Sequence, residues 1–377
     1  MNREFETLSA RIRNATCPED VFGEIGAQTD AMLLTLKQRY RAYVKIVHPD
    51  VYQGTDEKAA AQSTFRLLTA WMARAEGRIK TGKYGSAGAG ETILLRTPKR
   101  EYEIEGAYVE DGIYNSYACT FLDKGQLQSA QLKVVRDPCN NPLAENEIRA
   151  LRTLSAKADS NKFSPYLPQL LDAFIYDNGA SARQALVLKK ESGWFSLSEV
   201  HAAYPDGIDP RDMAWIWRRL LVILGYAHRS DILHGAVLPE NVWVLPEEHG
   251  LMLGGWSSAL SGAAVVGTHV PLVSQTYHAW YPQDVLWSAI PLFPADILMS
   301  AKCMLWLLGG DPHTKMIPKT VPNALRAFLR GCILPLSRAP RDAWKLLEEF
   351  DELLAALWGP RKFHPFRISI HSQNQGG

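Results

Sequence analysis

The residues best placed to do chemistry near the N-terminus are His48, Pro49 and Asp50, three consecutive positions at the end of a helical pattern. Pro49 disfavours helical geometry at His48 and has no amide hydrogen to donate, so a helix must stop there and a loop begins with a fixed φ. Asp50, released at the loop entrance, can accept hydrogen bonds from turn amides or from a partner's arginine. Upstream, Lys37, Arg41 and Lys45 step by four and share one helix face, a basic stripe that leads to the tripeptide. The chemistry implied is docking by charge and hydrogen bonding rather than bond-making. Other clusters carry less. His228 and His234 have no further ligand at metal spacing and read as ordinary core or loop histidines. Trp215 and Trp217 beside Arg218 and Arg219 fit a helix with a core face and a surface face better than a nucleic-acid stripe.

Two amphipathic helices must position the tripeptide. Leu33, Leu36, Tyr40, Tyr43 and Val47 recur at steps of three and four and predict a helix from about Ala31. Phe65, Leu68, Met72, Ala75 and Ile79 do the same through a segment from about Asp56. The pair reads as antiparallel, with the tripeptide at its turn. Phe5, Leu8 and Ile12 predict a short extra helix packed on that pair.

The segment Tyr40-Arg41-Ala42-Tyr43-Val44-Lys45-Ile46-Val47-His48-Pro49-Asp50 resembles the second helix and loop of a J-domain, the module by which DnaJ-type co-chaperones engage a DnaK-type (heat-shock seventy) chaperone. Cys17-Pro18-Glu19-Asp20-Val21-Phe22-Gly23-Glu24-Ile25-Gly26 is similar to the family's short first helix. Phe65 to Trp71 resembles the third, with the Ala70-Trp71 pair one residue early. The resemblance covers about residues 15–84. It implies a DnaK-type chaperone as partner, with Lys37, Arg41 and Lys45 docking on an acidic surface of its ATP-bound form. The loop residues His48, Pro49 and Asp50 would then trigger hydrolysis. The plain alternative is a helical hairpin whose basic face is only solvated.

With 377 residues, 46% of them hydrophobic, the chain has room for two or three domains and for sizeable cores. A formal net charge of +1 recommends neither nucleic acid nor membrane as a partner. The five cysteines (Cys17, Cys119, Cys139, Cys303, Cys332) lack C-x-x-C spacing, which argues against zinc and against a disulfide framework. Met1 to Arg13 carries acids and arginines where a signal peptide needs an apolar run, and no stretch approaches a membrane span. A soluble, cytoplasmic protein with no metal and no cofactor is expected.

Thr81 to Gly90 is small and glycine-rich, the composition of a connector, and the expected layout follows from it. Residues 1–84 form a J-domain-like helical domain, 85–92 a linker, 93–190 an upper lobe, 191–360 a lower lobe and 361–377 a polar, poorly ordered tail. From Glu91 to about Val135, β-branched and aromatic residues alternate with polar ones between turn signals at Asp111-Gly112 and Lys124-Gly125, which predicts an antiparallel sheet. Helical spacing then dominates at Leu143–Leu154, Pro210–Arg229, Ala295–Leu308, Val321–Leu334 and Arg341–Leu357.

A small sheet with one helix, followed by a helical lobe, is the protein-kinase layout, and motifs in order over about residues 91–358 resemble that family. Lys133 in Ala130-Gln131-Leu132-Lys133-Val134 is similar to the strand lysine that holds nucleotide phosphates, and Glu147 to the helix glutamate that pairs with it. Leu188 falls at the gatekeeper, and His234-Gly235-Ala236-Val237-Leu238-Pro239-Glu240-Asn241 on the catalytic loop. Tyr281-Pro282-Gln283 sits where the family closes its activation segment, with Arg338 or Arg341 as the arginine that would meet Gln283. The expected fold is therefore multidomain, an all-α J-domain-like hairpin followed by an α+β bilobal protein-kinase-like fold.

What the resemblance lacks bears on function. Phosphoryl transfer needs a carboxylate at the acceptor hydroxyl, a second to hold magnesium, and usually a glycine-rich loop over the phosphates. The first position is Ala236, the second Gly255 in Leu253-Gly254-Gly255-Trp256-Ser257, and the loop retains only Gly112 while adding Glu110 and Asp111. The expectation is a pseudokinase, not an enzyme, in which Lys133, Glu147 and Asn241 are remnants of a nucleotide pocket. As a whole the chain reads as a co-chaperone whose kinase-like part recruits an unknown client or partner protein. Two alternatives stay open: a pseudokinase scaffold without chaperone activity, and an atypical nucleotide-using transferase on a kinase fold.

Overall fold

The computed structural model describes residues 3–15, 18–25, 29–52, 54–80, 82, 84–85, 93–177, 181–262, 269–287 and 293–368. By Cα packing the chain divides into two units, Met1–Val134 with Val187–Lys190, and Val135–Leu186 with Glu191–Gly377.

The first unit begins with four helices, α1 (Arg3–Asn14), α2 (Pro18–Phe22), α3 (Thr29–Val47) and α4 (Thr55–Lys80). Each contributes one apolar stripe to a single core: Phe5, Leu8 and Ile12 from α1, Val21 and Phe22 from α2, Leu36 and Val47 from α3, and Ala61, Leu68, Trp71, Ala75 and Ile79 from α4. Hydrogen bonds set the register within that core. Ser9 and Thr64 hydroxyls meet at 2.9 Å, and the Trp71 indole donates to the Ile12 carbonyl at 3.1 Å. Tyr40 reaches Thr69 at 3.2 Å while the His48 ring packs edge-on against Phe65, so positions rising along α3 meet positions falling along α4. The two helices are antiparallel. No amide hydrogen at Pro49 is available to prolong α3, and it ends at Val47.

Four antiparallel strands follow, β1 (Ile93–Arg96), β2 (Glu101–Asp111), β3 (Tyr114–Asp123) and β4 (Gln126–Val135). Lys124 and Gly125 both have positive φ (49° and 81°), as a two-residue hairpin turn of the primed type demands. The register of β2 on β3 shifts between Ile104 and Tyr108, a bulge that separates a buried half of β2 from an exposed half. Helix α4 packs on this sheet. Its Arg74 is 3% exposed, lies with its guanidinium 4.7 Å over the Trp71 ring, and meets Glu103 at 3.4 Å on β2. One turn on, a Cβ at Gly77 would lie 2.7 Å from Leu127, so the absence of a side chain lets β4 approach the helix. The glycine-rich connector expected between helices and sheet lies mostly outside the described residues. On either side of it, helix and sheet are joined by that buried contact and form one unit, which composition alone does not reveal.

The second unit opens with α5 (Asn141–Ser155), α6 (Ser160–Phe163) and the neighbouring strands β5 (Leu170–Asp177) and β6 (Ala182–Lys189), the last residues of β6 belonging to the first unit. It continues with β7 (Phe195–Ser196), α7 (Leu197–Ala203), α8 (Pro210–Arg229), β8 (Ile232–Leu233), β9 (Val242–Leu245), β10 (Gly250–Leu253) and β11 (Leu260–Ser261). It ends with α9 (Gln283–Trp287), α10 (Phe293–Leu307), α11 (Asn323–Cys332) and α12 (Ala343–Trp358). Asp209 caps α8 by accepting from the Arg211 amide at 2.7 Å, with Pro210 at the first helical position. Every side chain of α10 from Ala295 to Leu305 is buried, the polar Asp296, Ser300 and Lys302 included. A Cβ at Gly225 of α8 would lie 2.6 Å from the Trp344 indole, so glycine admits α12 to close range.

The expected polar tail is corrected in its first part. The His249 ring is sandwiched between Trp215 and Phe363, each 4.3 Å away, Phe366 is 5% exposed, and the His364 ring meets Asp212 at 2.8 Å. Two phenylalanines and a histidine at short spacing suffice to dock this strap on α8; residues 369–377 of the tail lie outside the described ones. No helix among the described residues is long and apolar enough to cross a membrane.

Candidate functional site

The sequence-derived candidates fall into two groups, one wholly in the first unit. At the end of α3 the chain makes a single 3-10 turn, Pro49–Val51, with His48 extended at φ −66°, ψ 129°. The His48 ring caps this turn: Nδ1 accepts from the Asp50 amide at 3.3 Å and stands 3.6 Å from the Asp50 carboxylate. Tyr52 anchors the far side by donating to the Ile46 carbonyl at 2.7 Å and placing its ring edge-on to Phe5. The loop is thus fixed from both sides, and the Asp50 side chain remains 77% exposed. The sequence placed His48, Pro49 and Asp50 at the turn; that Tyr52 fastens it was not read from the pattern.

Lys37, Arg41 and Lys45 are all exposed on α3, and none pairs with a carboxylate among the described residues. Eight residues of helix set the first and last about 12 Å apart. Unpaired cations in a row on a rigid helix form an attractive face for an acidic surface, and the carboxylate of Asp50, beside the His48 ring, is largely exposed at the loop where that row ends.

The second group comprises the residues expected from the sequence to line a degenerate nucleotide pocket, and they are divided between the two units. In the first unit, Lys133 is nearly buried, its ammonium 2.9 Å from Asp111 and 4.5 Å from the centre of the Tyr114 ring. Asp111 and Tyr114 flank the two-residue turn between β2 and β3, so the hairpin that resembles the phosphate loop directs its own carboxylate at the lysine. Leu188 is also in this unit, 7% exposed. The carboxylates expected to oppose phosphate therefore do more than repel, since Asp111 engages the cation itself.

In the second unit, Asp296 at the start of α10 organises the loop bearing Ala236 and Asn241. It is fully buried and accepts from the His234 amide at 2.8 Å and the Gly235 amide at 2.9 Å, and it contacts the His228 ring at 2.9 Å. The ring of His234 accepts from the Ala236 amide at 3.2 Å and donates to the Gly254 carbonyl at 2.8 Å. Burial pushes the basicity of His234 down, which keeps it neutral. The Trp256 indole, fully buried, packs edge-on to that ring. The sequence marks neither Asp296 nor Trp256 as a site residue; its signals are an isolated acid at the start of a helix and a tryptophan after two glycines.

Gly255 has φ +72°, and a Cβ there would lie 2.2 Å from Asn241 Oδ1. Asn241 donates to the Ala236 carbonyl at 2.9 Å, which fixes its amide in that place. At Gly255, then, the backbone is left-handed and the space is filled. Ala236 itself is 6% exposed and offers only a methyl group. Glu147 is 1% exposed and accepts from the Ser257 hydroxyl at 2.9 Å. Just before Tyr281-Pro282-Gln283, the carbonyls of Ala279 and Trp280 accept from Lys302 on α10 at 3.2 and 3.0 Å. Arg338 and Arg341 are both exposed, and among the described residues neither hydrogen-bonds Gln283 as expected of one of them; the carbonyls of Ala279 and Trp280 just before that segment are held by Lys302 instead. No group of three or more His, Cys, Asp or Glu among the described residues is arranged to hold a metal.

No family model and no curated protein matches the chain. Among solved structures, 1996 chains match. One of them is the structure of vaccinia related kinase 3, at TM-score 0.55 and 19% identity over 72% of this chain and 93% of that one. At such identity the likeness speaks for backbone architecture alone. Together with the small sheet, the single helix α5 and the helical lobe around α10, it gives this protein a protein-kinase-like, bilobal α+β fold preceded by an N-terminal helical region.

Proposed function

We propose that the protein is a J-domain co-chaperone in which a catalytically dead kinase-like domain recruits a client or partner. The observation that carries the reading is the loop at the end of α3. His48, Pro49 and Asp50 form a pinned turn whose carboxylate is open to a partner, at the end of a row of unpaired cations. Docking begins with attraction between Lys37, Arg41 and Lys45 and an acidic face of the ATP-bound DnaK-type chaperone, and the loop then contributes Asp50 as an acceptor for a cation of the partner.

The kinase-like part is read as a pseudokinase. Ala236 leaves no base for an acceptor hydroxyl, Gly255 leaves no magnesium carboxylate and no room for one, and Asp111 takes up the cation of Lys133. Each lost group removes several kcal/mol, about 3 or more, of transition-state stabilisation. A second reading, a scaffold without chaperone activity, draws on the same losses in the kinase-like part.

The test measures ATP hydrolysis by a DnaK-type chaperone with and without the full chain. Stimulation by the wild type, lost in His48→Gln and in Asp50→Asn at unchanged melting temperature, is the expected result. Equal stimulation by wild type and both variants would exclude the loop, and no stimulation at all would leave the scaffold reading.

A further inference from the structure

From Pro312 to Arg341 the chain carries six Lys or Arg (Lys315, Lys319, Arg326, Arg330, Arg338, Arg341) and no Asp or Glu, although the protein as a whole has 41 basic and 40 acidic residues. The structure adds two facts to this local imbalance. Lys315, Lys319, Arg330, Arg338 and Arg341 are exposed, and none has a carboxylate partner among the described residues. Between the cations stand two of the protein's exposed large apolar side chains, Met316 at 62% and Leu334 at 40%.

The loop that displays Met316 is held in place. The Asp311 amide donates to the Met316 carbonyl at 3.0 Å, and the Asp311 carboxylate accepts from the His313 amide and the Thr314 hydroxyl, each at 2.9 Å. Lys315 takes a left-handed φ of 61°, and its ammonium donates to the Ile333 carbonyl at 3.0 Å, which ties the loop to the end of α11 next to Leu334. Two apolar groups and a set of unpaired cations are thus presented on a backbone that need not reorganise to bind, and preorganisation of this kind lowers the entropic cost of association.

We propose that this surface, the Asp311–Met316 loop with the C-terminal end of α11, docks an acidic protein segment that carries an apolar residue. Charge complementarity selects the acidic partner, and Met316 with Leu334 selects the apolar anchor. A nucleic acid fits less well, because neither exposed apolar residue, Met316 or Leu334, is aromatic. Two isolated apolar side chains are also too few to enter a lipid surface. The proposal stands apart from the chaperone reading, since it uses a different unit of the chain.

The test is fluorescence anisotropy of the full chain with a short labelled peptide of glutamate, aspartate and leucine. Binding is expected to weaken as salt rises, to fall about tenfold or more in the Arg330→Glu, Arg338→Glu double variant, and to fall severalfold in Met316→Ser with its salt dependence retained. All three positions are exposed, and an unchanged melting temperature checks that the variants fold. His48→Gln should bind the peptide as the wild type does, which separates this surface from the chaperone loop. Three results would each overturn the proposal: no binding to the wild type, equal binding to all variants, or tighter binding of oligothymidylate or phosphatidylserine vesicles in competition with the peptide.

Discussion

At Gly255 the backbone and its surroundings bear on more than the expected absence of a ligand. A φ of +72° and a Cβ position 2.2 Å from Asn241 Oδ1 mean that restoring aspartate must displace Asn241 from the Ala236 carbonyl and strain the backbone. Gly255→Asp should therefore lower stability by about 2–4 kcal/mol, read by denaturant unfolding, without creating magnesium binding in a titration calorimeter. Tight magnesium binding by the variant would show that the loop relaxes freely. Lys302 illustrates the opposite case, a retained cation in an unfavourable place. Burial, with a smaller push from Lys315, holds its basicity down to about 8. Between that value and the unfolded value of about 10.4 the unfolded chain binds more protons than the folded one, so stability from this group rises as pH rises through that window. Comparing urea unfolding of wild type and Lys302→Met from pH 7 to pH 10 should reveal that upward component only in the wild type. Parallel curves would mean that Lys302 is not strained by burial.

At the scale of elements, α3 and α4 divide their labour by face. One side of α4 closes the helical core, and another places Arg74 against Glu103 while Gly77 opens a path for Leu127. A buried guanidinium needs this double partnership, since desolvation lowers its basicity and Glu103 opposes that shift. α3 carries no such burden on its basic side. Changing Lys37, Arg41 and Lys45 together to glutamate should weaken association with a DnaK-type chaperone about 10–100-fold in surface plasmon resonance, chiefly through slower association. Wild-type association should slow in the same way as salt shortens the screening length below about 8 Å. Binding indifferent to both changes would reduce the stripe to a solvated face.

Over the whole molecule, the protein-kinase-like fold is present, and on the proposed reading the groups that serve phosphoryl transfer are not. Asp296 ties down the loop of His234 and Gly235, and Trp256 packs on the His234 ring, so this loop is held rigidly within its unit. Asp111 and Tyr114 meanwhile satisfy Lys133 from the adjacent hairpin. Millimolar Mg-ATP should accordingly leave the melting temperature of the full chain unchanged within about 1 °C. A ligand at a hundred times its dissociation constant would instead stabilise the fold by about 2.7 kcal/mol, which differential scanning fluorimetry detects with ease. A clear magnesium-dependent rise would restore a nucleotide role to this site.

The chain by itself determined everything that follows from local periodicity and stereochemistry. The apolar steps of three and four place α3 and α4 within two residues of their observed starts, Pro49 ends α3, and the expected helix at Pro210–Arg229 coincides with α8. Such features depend on neighbours a few residues apart, and the chain displays them directly. Tertiary structure decided the rest, because it depends on groups far apart in sequence. No local pattern marks Arg74 as buried until the fold brings Glu103 to it, and Asp111 reads as a repelling charge until the β2–β3 hairpin turns it onto Lys133. Phe363, His364 and Phe366 read as a polar tail until Trp215, His249 and Asp212 supply an aromatic slot and a carboxylate. A residue's own type states which interactions it can make; only the fold states which of them are made, since burial removes water as the alternative partner.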